Sequence, residues 1–215
     1  ELTGLPEEIG DLTNLKRLDL DRSSIRSLPF SIGRLQNLEK LNLFRTMNLL
    51  TLPDEIRNLT SLKDLSWKTV EIPESIAVNL NTFELDCGTL GITNPMMLEQ
   101  FWNLKHFKLN IYEVPTLPDE IGDMFSLTSL VLWDVEMRSI PPTIGLLQNL
   151  EFLHIHLTRY LFSLPEEIGY LMCLKVLIIN GYNIESLPYS IGYLKNLEEL
   201  DLSHATSLSE IPDSI

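Results

Sequence analysis

Any chemistry in this chain must be built from four histidines, two cysteines and a surplus of acids. His154 and His156 stand two apart, and a strand's period of two would send both imidazoles to one face. Two ligands can begin a metal site, but zinc asks for three or four. The other histidines, His106 and His204, lie in separate segments. The plainer reading is a pair of exposed imidazoles, and no metal or cofactor is expected. Acid pairs such as Asp19 with Asp21, and Glu199 with Asp201, have the composition of a general acid–base pair. On a sheet face open to water they would lack the dry pocket that shifts such groups. The sequence contains no P-loop, G-x-G-x-x-G, H-E-x-x-H or G-x-S-x-G motif. No enzyme is therefore expected.

Charge narrows the partners. Of 215 residues, 30 are Asp or Glu against 16 Lys or Arg, a formal charge of -14. Such a surface repels a phosphate backbone and an anionic membrane alike, so neither nucleic acid nor a polybasic membrane contact is expected. No apolar run approaches the roughly 18 residues of a membrane span, and nothing at the start reads as a signal peptide. The chain opens in mid-pattern. With 44% hydrophobic residues, it can build a sizeable core.

The elements that must position these residues follow from a repeat. Pro6, Pro29, Pro53, Pro73, Pro95, Pro118, Pro141, Pro165, Pro188 and Pro212 recur at intervals of 20 to 24 residues. Apolar residues follow each at fixed offsets, as in Pro6, Ile9, Leu12, Leu15, Leu18 and Leu20, or Pro165, Ile168, Leu171, Leu174, Leu177 and Ile179. Period three over Ile9 to Leu15 predicts a short helical or 3₁₀ turn, and period two over Leu18 to Leu20 predicts a strand. One such unit cannot bury its apolar face alone, so the units must stack, their strands pairing in parallel. The turn side is wider than the strand side, so the stack is expected to curve.

The unit L-P-x-x-I-x-x-L-x-x-L-x-x-L-x-L resembles the leucine-rich repeat, specifically the 23-residue intracellular Ras-group type, and covers essentially the whole chain. The resemblance implies an α/β solenoid: a horseshoe arc with a concave parallel sheet and short helical or 3₁₀ convex segments. One domain over 1–215 with about nine repeats is expected, cut in mid-pattern at both ends and so a fragment of a longer chain. The position that is often an asparagine ladder in this family holds Ser23, Thr46, Val135, Thr158, Tyr182 and Ala205. In that respect the chain is similar to the looser repeats of plant nucleotide-binding immune receptors. Secreted plant relatives usually carry a glycine before an I-P pair and several glycosylation sequons. Here the pair is mostly L-P and the one sequon, Asn58-Leu59-Thr60, straddles a core position, so a cytoplasmic location is expected.

Details of the repeat carry further expectations. Ten acids, among them Glu7, Glu8, Glu166 and Glu167, fall one or two residues after a ruler proline. Proline at the first helical position with a carboxylate beside it suits a helix start, which makes much of the acidity structural. The repeat after Pro73 is two residues short, and Asn94 stands where leucine usually precedes proline, so distortion is expected over 70–102. Cys87 and Cys173 belong to repeats about four rungs apart, roughly 19 Å at the strand spacing, so both are expected as free thiols. Leu146, Tyr170 and Tyr193 share one convex offset and should stack as a ladder.

On each strand, the residues between and flanking the last two core positions should face outward on the concave side. In repeats six to eight they are Ser129, Val131, Trp133; Phe152, His154, His156; and Val176, Ile178, Asn180. Apolar side chains fill five of these nine positions, against one of 18 elsewhere, namely Phe44. Val131, Trp133, Phe152, Val176 and Ile178 should form one apolar patch, with His154, His156 and Asn180 among them. Such a patch has the look of a protein interface; it would equally suit cover by another segment of the same chain. Lys40, Lys68 and Lys108 against Asp19, Glu84 and Asp201 would orient a partner. The expected function is protein–protein recognition on the concave face, with no small-molecule substrate. The resemblance implies a signalling scaffold or adaptor. Its alternatives are a ligand-sensing or autoinhibitory domain of an immune receptor, and a substrate-selecting appendage of an enzyme.

Overall fold

Each period-two segment forms a short strand, and the period-three segments between them turn back as single helical turns. The computed structural model describes residues 2–69, 72–88, 95–111, 116–133 and 137–215. The strands are β1 (Arg17–Asp19), β2 (Lys40–Asn42), β3 (Asp64–Trp67), β4 (Thr82–Gly88), β5 (His106–Ile111), β6 (Ser129–Trp133), β7 (Phe152–Thr158), β8 (Val176–Gly181) and β9 (Glu199–Asp201). They pair in parallel and in sequence order, making one open nine-stranded sheet. The register runs Leu18↔Leu41↔Leu65↔Phe83↔Phe107↔Leu130↔Leu153↔Leu177↔Leu200, one apolar side chain from every repeat. This ladder, with Ile32, Ile56, Ile121, Ile144 and Ile168 from the turns, forms one continuous core.

The turns are 3₁₀ helices such as Glu7–Asp11, Phe30–Arg34, Glu166–Tyr170 and Tyr189–Tyr193, except in the shortened repeat, where Glu74–Ala77 is one turn of α-helix. Pro95 is the first helical residue of its turn, as the sequence suggests, but elsewhere the ruler proline is the extended residue before it: Pro6 has ψ 158 and Pro165 has ψ 152. Its carbonyl accepts the first turn bond, from Ile9 N and Ile168 N at 3.1 Å each. The carboxylates stand in the first turn, as expected, and two of them also bond across the stack. Neither Pro6 nor Pro165 begins a turn with a side-chain cap bond. Instead Glu7 and Glu166 accept from the backbone N–H of Ser31 and Ser190 in the next repeat, both at 3.1 Å. Those two receiving turns have no acid in their own first turn. An orphan helical donor is thus satisfied across the stack.

An asparagine ladder exists, but at another offset. Asn37, Asn149 and Asn196 donate to the carbonyls of Thr13, Phe125 and Met172 in the preceding repeat at 2.9, 2.9 and 2.7 Å. Gln36 and Gln148 tie their own turn to the following one, through Gly33 and Asn58 carbonyls and through Gly145 and Tyr170 carbonyls. The turns are pressed close enough to exclude a side chain. A Cβ on Gly145 would lie 2.7 Å from the Glu167 carbonyl oxygen, and one on Gly169 2.5 Å from that of Ser190.

Around the shortened repeat the core is aromatic. Phe83 stacks on Phe101 at 4.8 Å and on Phe107 at 6.1 Å. Trp67 is buried at the position that holds Leu20 and Leu43 in the first two repeats. The distortion expected over 70–102 falls partly on 70–71 and 89–94, which lie outside the described residues. The strands flanking the short repeat keep register from Asp64↔Thr82 to Trp67↔Leu85, and the β4–β5 pairing slips between Asp86 and Gly88.

Because the glycine contacts are with backbone, Gly145→Ala should cost about 1–3 kcal/mol of stability, read from urea unfolding. Gly4→Ala, with nothing within 4 Å of the new methyl, should leave the unfolding midpoint almost unmoved.

Candidate functional site

Register places the predicted site residues in a grid on the open face of the sheet. Its rows are Ser129↔Phe152↔Val176, Val131↔His154↔Ile178 and Trp133↔His156↔Asn180. The residues between them, Leu130, Leu132, Leu153, Ile155, Leu177 and Ile179, are fully buried on the other face, as alternation requires. Trp133 is 44% exposed, and Phe152, His154, His156, Val176 and Ile178 are half-buried.

Two of the eight residues differ from the expected exposure. Val131 is only 7% exposed: its short side chain lies between the longer Lys108 and His154, its register neighbours, and forms the floor of the patch. Asn180, 9% exposed, is occupied by internal bonds. Its Oδ1 is the shared partner of His154 Nε2 at 2.9 Å and His156 Nδ1 at 3.3 Å, and its Nδ2 donates to the Ser203 carbonyl at 3.2 Å. With an amide oxygen accepting, both imidazoles must donate, which sets the tautomer of each neutral ring. The rings continue the cluster. Trp133 lies 4.6 Å from His156 and 6.1 Å from His154, His154 lies 5.3 Å from His156, and Phe152 meets His154 edge-on at 6.3 Å. The histidines are therefore built into the patch as amide-linked aromatic surface. Among the described residues, no group of three or more His, Cys, Asp or Glu is placed to hold a metal ion.

The charged residues expected to orient a partner are held to different degrees. Asp19 accepts from the Arg17 guanidinium at 3.0 Å, and that bond, with the Asp21 N–H, keeps its carboxyl below the usual carboxylate range. Asp201, opposite Ile178, is lowered by the Ser203 hydroxyl and N–H. Partial burial lowers the Lys68 ammonium, which sits 5.4 Å from the Trp67 ring.

Sequence reasoning missed Arg22 and Arg45. Each follows its strand at a left-handed backbone position, φ 55 and 54. With Phe44, Glu84, Lys108 and Trp133 they line a cleft of about 220 Å3 on the same face. The available signal was an arginine at the same offset after the first two strands.

On the opposite side Leu146, Tyr170 and Tyr193 are all about half exposed or more, and the ring beside Tyr193 is Tyr189 of its own turn, edge-on at 6.3 Å. Cys173 is an exposed free thiol; the side chain of Cys87 lies outside the described residues. Among the described residues no helix is long and apolar enough to cross a membrane.

This architecture, a parallel strand and a single helical turn repeated along one open sheet, defines a repeat solenoid. Residues 1–85 and 79–177 match the model of the leucine-rich repeat region, and the chain belongs to the leucine-rich repeat family. Comparison with the curated proteins finds no match. Among solved structures it is similar to the leucine-rich repeat domain of the type III effector XopL, with 26% identity, TM-score 0.59, and coverage of 98% of this chain and 68% of that one. It is also similar to the plant peptide hormone receptor RGFR1 in complex with RGF2, with 25% identity, TM-score 0.57 and coverage of 96% of this chain. The Toll–Spatzle complex of Drosophila shares the fold at 19% identity and TM-score 0.65 over 94% of this chain. The chain spans 41% of the RGFR1 chain and 28% of the Toll-complex chain.

Asn180→Ala should remove the acceptor shared by two imidazoles and leave the Ser203 carbonyl unpaired. The expected loss is about 1–3 kcal/mol, measured by urea unfolding, with a change in Trp133 fluorescence as its ring packing loosens.

Proposed function

We propose that the open sheet face of repeats six to eight binds a protein partner, and that the chain serves as a scaffold or adaptor in cytoplasmic signalling. The observation carrying this reading is the grid itself: Phe152, Val176 and Ile178 adjoin one another, Trp133 is joined to them through the His154 and His156 rings, and all are exposed or half-exposed to solvent. Each such side chain gains up to roughly 1.5–3 kcal/mol on full burial, and aromatic anchors at the centre of a patch carry most of an interface's energy. The amide-linked histidines hold Trp133 in place before a partner arrives, which lowers the ordering cost of binding. A net charge of -14 disfavours nucleic acid as that partner. The similar RGFR1 structure, a receptor solved in complex with RGF2, supports a binding role for this kind of surface. The L-P rather than glycine-I-P pairing supports the cytoplasmic assignment.

Wild-type chain and the variants Trp133→Glu and Phe152→Glu, used as baits in lysate and checked for equal unfolding midpoints, should differ in one respect. The wild type retains a protein that both variants lose. Identical capture by all three baits would refute this interface.

A further inference from the structure

We infer that the cleft beside Trp133 receives acidic side chains from an extended segment of a protein partner, an inference that rests on the open face being the partner surface. Among the described residues, its walls combine three cations, Arg22, Arg45 and Lys108, with the rings of Phe44 and Trp133, and one acid, Glu84. In a chain of net charge -14, the described lining of this cleft carries more cations than acids.

The cations are available. Among the described residues, neither Arg45 nor Lys108 pairs with a carboxylate; the Arg45 guanidinium lies 5.1 Å from the Phe44 ring. Arg22 Nε is 3.6 Å from the Asp21 carboxylate, and the two side chains remain 69% and 37% exposed, a weak and solvated pair. Glu84 is itself engaged, accepting from Ser66 Oγ at 3.1 Å. The backbone that carries the arginines is constrained. The left-handed backbone at both positions disfavours residues bearing a Cβ, and the Arg22 N–H donates to the Phe44 carbonyl at 2.9 Å, coupling one turn to the next.

Carboxylates match this wall, because a planar guanidinium binds them with two parallel hydrogen bonds. The span argues for a segment. From β1 to β5 the cations stretch over four rungs, roughly 19 Å at the strand spacing and about six residues of extended chain. A lone terminal carboxylate would meet one end and leave the other unmatched. The two rings would cover the apolar parts of the segment, and Trp133 joins this cleft to the patch of repeats six to eight. Repulsion by the rest of the surface is screened beyond about 8 Å at physiological salt, so a short acidic stretch is favoured over a polyanion.

The test follows the Trp133 indole N–H resonance of this chain during titration with four peptides of eight residues. The first is rich in Glu and Asp with one Phe, acetylated and amidated. The second is its Gln and Asn isostere. The third is that isostere with a free C-terminus, and the fourth is the isostere carrying phosphoserine. The acidic peptide should shift the resonance saturably, and Arg45→Glu and Lys108→Glu should each weaken it tenfold or more, with Arg45→Gln intermediate. Ile178→Glu, which removes part of the apolar patch, should leave peptide affinity within twofold even where it abolishes capture of the partner. The indole signal of buried Trp67 reports folding in every variant. Equal binding of acidic and isosteric peptides, binding only with a free C-terminus or phosphoserine, loss with Ile178→Glu instead of Arg45→Glu, or no shift at all would each overturn the inference.

Discussion

A three-residue strand such as Arg17–Asp19, followed by a five-residue 3₁₀ turn such as Phe30–Arg34, has almost no stability of its own. Its strand donors and acceptors point sideways, and its leucines cover only one another. Everything in this molecule depends on the next unit arriving in the same register, so that Leu18 meets Leu41 and Leu41 meets Leu65. The stack is held by the parallel ladder on one side and by glycine-permitted contact between turns on the other. A change in spacing must then be absorbed locally. Where the repeat shortens, an α-turn replaces a 3₁₀ turn, and Trp67, Phe83, Phe101 and Phe107 fill the core that leucines fill elsewhere.

The same constraint explains the tie points between repeats. Backbone groups at equivalent turns line up along the stack, so one side chain can serve the neighbour's orphan donor or carbonyl. Glu7 and Glu166 do so forward along the chain, and Asn37, Asn149 and Asn196 do so backward. Two of the acids near the prolines, Glu7 and Glu166, are thus bound up with inter-repeat bonding, while the open sheet face is left to differ from repeat to repeat. That face is where apolar, aromatic and cationic residues depart from the pattern, because the core places no demand on them.

The periodic part of the protein was legible because period carries directly into geometry. The prolines and leucines alone gave the strands, the turns, the sheet order and the face on which Trp133, Phe152 and Ile178 stand. What the pattern could not show was how side chains on that face treat one another. Val131 reads as exposed by alternation, yet longer neighbours close over it. Asn180 reads as a free amide, yet two imidazoles and a carbonyl occupy it.

The sequence by itself determined the repeat, the parallel sheet and the clustering of apolar residues in repeats six to eight, since each follows from spacing along one chain. Tertiary structure decided which of those residues stay open, where the asparagine ties run, and that Arg22, Arg45 and Lys108 share a cleft. These depend on distances between residues that lie a repeat or more apart, and on left-handed turns after the strands, which no period of two or three encodes.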